Sequence, residues 1–480
     1  MTSELKISAE EPNWSALPLE LLNTIGCRST KLKDFIRFRA VCKRWRQALA
    51  SSRFRQSIPW LMLPYCRNNS PYAASARVGC TTSTDCCRCF YDVEEQQFHH
   101  IESPQGLNKT CRGSDFGWVF MMESSPSLSL LNPITNDNIS LPPITAFPDV
   151  LEFRPEHVGI EYLHLDCQGL RVAEGKKRIE RHYISKVSFS TEPTMKECVV
   201  MVIRTGRNYT LAFCKPYEDQ KWTVIPPGDD RDLPKLNAFT DVVFWKGQFY
   251  ALVQDGRVYV CDLSLQDCPR LSLFIDAPQA NAYHNYLVIS PTNDELMMVT
   301  RYLRFPEEED HDDCDDDDDD GGIDIDDELS NDDYDDDHDE YDDGDNEVDD
   351  YCSDSESDDE NYDHIQLADR YRKRAVFTGE FKVFKVHEDR RRWDEVGSIG
   401  DFALFLGYNT ATWISIKDHP QITRDSIYFT DDLNHRDEVA DMGVYNLRTQ
   451  TINQLYSTAS VHENPYLISP LPVWILPSNH

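Results

Sequence analysis

Asp241–Trp245, Gln248–Gln254 and Arg257–Asp262 are three short β-rich runs separated only by Lys246-Gly247 and Asp255-Gly256. Two-residue links ending in Gly accept positive φ and match the twist of flanking strands, so this segment is expected to fold as an antiparallel meander. Comparable runs recur at Ser127–Leu131, Val199–Arg204, Lys221–Ile225, Tyr286–Ser290, Glu295–Tyr302, Val376–His387, Ser426–Phe429, Val444–Leu447 and Thr451–Leu455, while long helical periodicity is hardly visible. Several share one form, in which an apolar strand ends in a polar turn and resumes as another strand. Examples are Leu130 to Leu141 through Asn136-Asp137, Val258 to Phe274, and Val444 to Leu455 through Arg448-Thr449. Repeated meanders without helices point to sheets set radially as propeller blades, which shield edges that separate sheets would expose. A β-sandwich is the structural alternative, disfavoured because roughly 400 residues of β is long for a single sandwich. The repeat is too ragged to count blades.

The clearest helical pattern spans Trp14 to Ala50. Pro18 suits a first helical position, since its φ is preset and its missing N–H goes unused there, and Glu20 favours the positive end of the helix dipole. Leu17, Leu21, Leu22 and Ile25 fall on one face. Downstream, Phe35, Phe38, Cys42, Trp45 and Leu49 recur at steps of three and four, with Arg37 and Arg44 nearly opposite. Modules below about 40 residues seldom fold unaided, so this one leans on another surface, either the rest of the chain or a second protein.

Leu17-Pro18-Leu19-Glu20-Leu21-Leu22, followed by Asp34-Phe35-Ile36-Arg37-Phe38-Arg39-Ala40-Val41-Cys42-Lys43-Arg44-Trp45-Arg46, closely resembles an F-box. F-boxes are three-helix modules that bind the Skp subunit of Skp–cullin ubiquitin ligases. The resemblance implies that the second segment breaks into two helices near Val41, which spacing alone does not show. It also implies that Leu17, Pro18, Leu21, Leu22, Ile25, Val41, Cys42 and Trp45 form or support the adaptor-facing surface. The chain departs from the pattern at Gly26 to Thr30, where a leucine usual in the family is missing and Gly26 costs a helix up to ~1 kcal/mol against Ala.

The net charge of −36 has a local origin: Glu307 to Asp363 holds 35 of the 84 acidic residues and no Lys or Arg, leaving 49 acids against 48 bases elsewhere. The folded part therefore has no charge bias toward nucleic acid or membranes. Residues 307–369 read as an extended, disordered insert. Within it Ser353, Ser355 and Ser357 each have an acidic residue three positions on, the spacing of acidophilic kinase sites. Arg370, Arg372, Lys373 and Arg374 follow as a basic patch or the start of the next strand. No signal-like segment opens the chain and no stretch of about 18 apolar residues occurs, so nucleus or cytoplasm is expected, with the 15 cysteines reduced. The organisation expected is a flexible 1–13, an F-box over 14–58, a β domain over 59–306, the insert over 307–369, and the β domain resumed over 370–480.

No Gly-rich phosphate loop, Gly-x-Ser-x-Gly elbow or His-Glu-x-x-His motif is present, so no catalytic residue and no cofactor is assigned. Cys80, Cys86, Cys87 and Cys89 cluster without a second pair at zinc spacing and read as free thiols. His99-His100 reads as a polar strand end. Asp316, Asp318, Asp320, Gly321, Ile323, Asp324 and Asp327 imitate a calcium loop, but Asp327 replaces the bidentate Glu and no amphipathic helices flank it. No metal ligand is assigned.

A second resemblance rests on Trp393 to Gly397, Gly400-Asp401-Phe402-Ala403-Leu404-Phe405-Leu406-Gly407, Ser426-Ile427-Tyr428-Phe429-Thr430-Asp431-Asp432, Gly443-Val444-Tyr445-Asn446-Leu447 and Pro472-Val473-Trp474, with Pro59-Trp60-Leu61-Met62-Leu63-Pro64 opening the domain. It is similar to the C-terminal domain of a plant F-box family catalogued as domain of unknown function 295. The resemblance implies a small N-terminal α module followed by a β-propeller-like substrate receptor, mainly β and interrupted by the acidic insert. The function so implied is that of a non-catalytic ligase subunit that holds a Skp-type adaptor, and through it a cullin-RING ligase, while tethering an unidentified target protein. The rival expectation is a polyanion that engages histones or other basic proteins through its acidic tract.

Overall fold

Trp118–Met122 is buried at every position, yet its side chains go to two places: Trp118, Phe120 and Met122 join one apolar cluster, Val119 and Met121 another. Val200–Arg204 divides in the same way, with Val200 and Val202 on one side and Met201 and Ile203 on the other. A strand covered on both faces has no solvent side, so its period of two sorts residues between two interfaces. Sheets packed radially, each against two neighbours, have this arrangement.

The computed structural model describes residues 14, 17–28, 32–49, 58–63, 87–102, 109–123, 126–166, 168–205, 210–226, 239–264, 269–278, 284–304, 377–387, 391–432, 441–455 and 472–477. Six sheets of four or five strands serve as blades. Blade 1 orders Val473–Ile475, Trp60–Met62, Cys87–Asp92 and Gln97–Glu102. Blade 2 runs Thr110–Asp115, Trp118–Met122, Leu128–Leu131 and Asn138–Leu141. Blade 3 runs Ile184–Phe189, Val200–Arg204, Thr210–Cys214 and Thr223–Val224. Blade 4 runs Phe239–Trp245, Gln248–Val253, Val258–Asp262 and Arg270–Ile275. Blade 5 runs His284–Ser290, Glu295–Arg304, Phe377–His387 and Arg392–Val396. Blade 6 orders Thr412–Ser415, Phe402–Leu406, Ser426–Phe429, Gly443–Asn446 and Thr451–Asn453, with Phe402–Leu406 and Ser426–Phe429 parallel. A small three-stranded sheet, Val150–Phe153, Tyr162–Leu165 and Arg171–Glu174, stands between blades 2 and 3 in the chain.

Six apolar clusters join the blades pairwise, 1 to 2, 2 to 3, 3 to 4, 4 to 5, 5 to 6 and 6 back to 1, so the ring closes. Its closure is made inside blade 1, where the two ends of the resemblance meet: Trp60 pairs with Ile475 and Met62 with Val473. Trp474, fully buried, sets its ring edge-on to Phe405 of blade 6 at 5.0 Å. Truncating a buried Trp costs about 3–5 kcal/mol, so this one side chain is a large share of the closure.

The expected meander forms blade 4 and gains a fourth strand, Arg270–Ile275. Lys246 and Gly247 both take positive φ, 46° and 83°, as the tight hairpin requires. In blade 5, Arg304 pairs with Phe377, so residues 305–376 leave and return through one antiparallel hairpin. The acidic insert itself lies outside the described residues. So do residues 1–13, Ser353, Ser355 and Ser357, the calcium-like run, Arg370 to Arg374, Cys80 and Cys86. Four α-helices are present among the described residues: α1 (Leu19–Cys27), α2 (Leu32–Ala40), α3 (Lys43–Ala48) and α4 (Lys176–His182), the last unanticipated and feeding blade 3.

Candidate functional site

Three short helices occupy the F-box-like segment, and the break falls at Val41-Cys42, between α2 and α3. Pro18 sits one residue outside the position expected, at the N-cap of α1, and its carbonyl accepts the N–H of Leu22 at 3.1 Å. Asn23 of α1 donates to the carbonyl of Ala48 at 2.8 Å, and Arg44 of α3 donates to the carbonyl of Leu17 at 3.1 Å. The first satisfies a carbonyl of the last turn of α3, which a helix leaves open, and the second ties α3 to the residue that leads into α1.

The helices bury one apolar face: Leu22, Phe35, Phe38, Ala48 and Leu49 share a cluster with Trp60, Met62 and Phe90 of blade 1 and Val119 and Met121 of blade 2. Gly26 belongs to this contact, since a Cβ there would stand 2.7 Å from the Leu49 methyls. Other apolar side chains remain open: Leu21 and Ile25, one turn apart on α1, are 51% and 45% exposed, Val41 at the α2–α3 break is 58% exposed, and Pro18 and Leu19 are exposed as well.

The expected adaptor residues therefore separate. Pro18, Leu21, Ile25 and Val41 offer surface, and Cys42 offers some. Leu17 and Trp45 are half-buried against the cluster, Trp45 packing on Phe38 at 4.4 Å between ring centroids. Leu22 has no exposed surface and acts from within, anchoring α1 to the ring.

A second constellation lies where the blades converge, and no local motif announces it. Lys186 of blade 3 reaches blade 6, opposite it in a ring of six, donating to the carbonyls of Gly407 at 2.9 Å and Asn409 at 2.8 Å. The same ammonium pairs with Asp241 of blade 4 at 3.3 Å. Asp241 in turn accepts the N–H of Leu287 in blade 5 at 2.9 Å, and Thr410 donates its N–H to Ser114 of blade 2 at 2.8 Å. Gly407 is required here because a Cβ would collide with the Thr430 hydroxyl. Main chain and a paired charge thus link blades 2 to 6 at this point.

Nearby, fully buried Arg301 donates to Tyr286 at 3.2 Å, Asp432 at 2.9 Å, Asp441 at 2.8 Å and Thr378 at 2.7 Å. A buried guanidinium this well satisfied is structural. Desolvation raises the carboxyl of Asp115, in blade 2, to about 6, against the N–H of Phe189 and the charge of Lys186, which favour its ionised form. Burial pushes the His284 imidazole down to about 4, with Arg301 and Lys186 adding to the effect and Asp432 opposing it. Of the thiol cluster, Cys89 is buried in the interface between blades 6 and 1.

Comparison with known proteins adds the family. A family model described as KIB1-4 beta-propeller matches residues 90–446. The match does not carry the name domain of unknown function 295 that the sequence suggested. F-box protein SKIP23 of Arabidopsis thaliana is 24% identical over 488 residues, covering 96% of this chain and 95% of that protein. F-box protein At2g26160 of the same organism is 22% identical, covering 88% of this chain and 97% of its own length. The F-box/kelch-repeat protein At1g57790, also of Arabidopsis thaliana, is 29% identical over 53% of this chain, and the alignment spans only 57% of that relative.

Proposed function

We propose, from the premise that the chain belongs to the KIB1-4 β-propeller family, that it is the substrate-recognition subunit of a Skp–cullin–F-box ubiquitin ligase. The reading rests on one observation: α1 to α3 bury Leu22, Phe35, Phe38 and Leu49 against the propeller and still leave Leu21, Ile25 and Val41 in solvent. Small helices with apolar residues on two sides have one side left for a second protein. The names of the Arabidopsis relatives support the same assignment. In this role the chain is non-catalytic. It would hold a Skp-type adaptor through the open helical face and a target protein through the propeller, raising the effective concentration of target lysines near the conjugating enzyme.

The test is binding of a purified Skp-type adaptor to the full-length chain. The full chain is needed because the helices share their core with blades 1 and 2. Leu21→Asp and Ile25→Asp should each weaken adaptor binding at least about tenfold, the size of a lost interface anchor, and leave the melting temperature within about 2 °C of wild type. Leu22→Asp should instead lower the melting temperature. Unaltered adaptor binding in the Leu21→Asp, Ile25→Asp double variant would remove the reading.

A further inference from the structure

We propose that Asp92, Glu95 and His99, on the hairpin joining the last two strands of blade 1, form a binding site for one divalent transition metal, zinc in the first instance. Each side chain offers one ligand atom, and the three atoms lie within 4.8 Å of one another. Nε2 of His99 stands 3.6 Å from Asp92 Oδ2 and 3.8 Å from Glu95 Oε2. Both separations exceed a hydrogen bond, and this nitrogen is buried with no hydrogen-bond partner. Tetrahedral zinc, with bonds near 2.1 Å, spaces its ligand atoms about 3.4 Å apart, so the two separations from His99 are within a few tenths of an ångström of a coordinated set, and the carboxylates, within 4.8 Å, would close on the ion.

The hairpin presets the arrangement. Asp92 commits Oδ1 to the turn, accepting the N–H groups of Glu94 at 2.9 Å and Glu95 at 3.2 Å, which leaves Oδ2 for the imidazole. Phe90 faces His99 and Asp92 faces Gln97, so Asp92 and His99 are diagonal neighbours on one face of the sheet. The Trp60 indole stacks on the His99 ring at 4.8 Å and 22°, fixing its plane. One imidazole with two carboxylates suits zinc, with manganese as the competitor, and leaves a coordination position for water. Glu94 of the same turn pairs with His419 of blade 6 at 3.5 Å. A metal here would therefore stiffen the turn that ties the closing blade to its neighbour. Residues 92, 95 and 99 match no zinc spacing in the sequence, and they meet only once the hairpin has formed.

Isothermal titration of the metal-stripped full-length chain with zinc chloride tests the site, with manganese chloride in a parallel series. The expected result is one tight zinc per chain, distinct from weak multiple binding by the acidic tract, and a higher melting temperature when it fills. Glu95→Gln and His99→Gln should each weaken that site at least about 100-fold, a lost ligand costing no less than a lost supporting contact, with circular dichroism unchanged. Cys86→Ser should leave it intact. If His99→Gln disturbs folding through Trp60, Glu95→Gln decides alone. The proposal is overturned if no tight zinc binds, if Glu95→Gln binds as wild type does, or if Cys86→Ser abolishes binding.

Discussion

Where a titratable side chain loses its water on folding, its proton becomes a term in the folding equilibrium, and His284 and Asp115 show this with opposite signs. The imidazole of His284 titrates at about 4 in the folded chain against an ordinary 6.5. On acidification the unfolded chain takes up this proton first, so stability is lost as pH falls from about 6.5 to about 4. Asp115 titrates at about 6 when folded against 3.8. Here the folded chain holds the proton longer, so stability is lost as pH rises from about 4 to about 6. The two contributions overlap and partly cancel in the wild type, and single substitutions separate them. The stability of wild type minus that of His284→Gln should fall by on the order of 2 kcal/mol as pH is lowered through that window, partial exposure discounting the full shift. The same difference taken with Asp115→Asn should fall as pH is raised. Urea unfolding at a series of pH values checks both, and a flat difference would contradict the burial assigned to that group.

Among the elements, α1 carries a glycine that propensity counts against and packing demands. Gly26→Ala should gain up to about 1 kcal/mol as a helix former. It also places a methyl 2.7 Å from the Leu49 side chain, inside a cluster shared with blade 1. Overpacking of that kind costs about 1–3 kcal/mol, so the net effect is destabilising by on the order of 1 kcal/mol. Limited proteolysis should cut the variant faster within residues 20–50, and in a Leu49→Ala background, itself destabilised, the added effect of Gly26→Ala should shrink. The break at Val41-Cys42 is legible only through the family resemblance, because Phe35, Phe38, Cys42 and Trp45 keep a helical spacing straight across it. Gly26 reads as a departure from that family for a similar reason: one-dimensional spacing does not show Leu49 lying beneath it. Trp118–Met122 gives no strand signal of its own because its two faces enter two apolar clusters, so no polar residue marks the alternation. Blade 4 is readable because Lys246-Gly247 and Asp255-Gly256 announce its turns.

At the scale of the whole molecule, the propeller architecture is legible from repeated meanders, but the six blades are not. Closure pairs residue 60 with residue 475, and Lys186 spans to Gly407, contacts that no local pattern encodes. Blade 5 is further obscured by residues 305–376, which separate in sequence a pair of strands that are neighbours in the sheet. Yet the register there is continuous: Arg304 faces Phe377 and Arg301 faces Phe381, with one irregularity between Tyr302 and Leu303. Arg301 and Thr378 also share Asp441 as a partner, at 2.8 Å and 2.7 Å, which locks the base of the hairpin from blade 6. The ring therefore needs the hairpin closed and has no requirement for a long connection. Closing a chain of 72 residues rather than about five costs roughly 2 kcal/mol more in loop entropy, from the logarithmic dependence on length. Replacing 305–376 with a five-residue turn rich in Asn and Gly should accordingly leave the melting temperature equal to or above that of the wild type. It should also leave adaptor binding through Leu21 and Ile25 unchanged, while capture of a partner that depends on the polyanion would vanish together with its salt dependence. A collapse of the melting temperature on this replacement, read by calorimetry, would mean that the insert belongs to the ring's structure and that blade 5 is not an independent hairpin carrying a passenger.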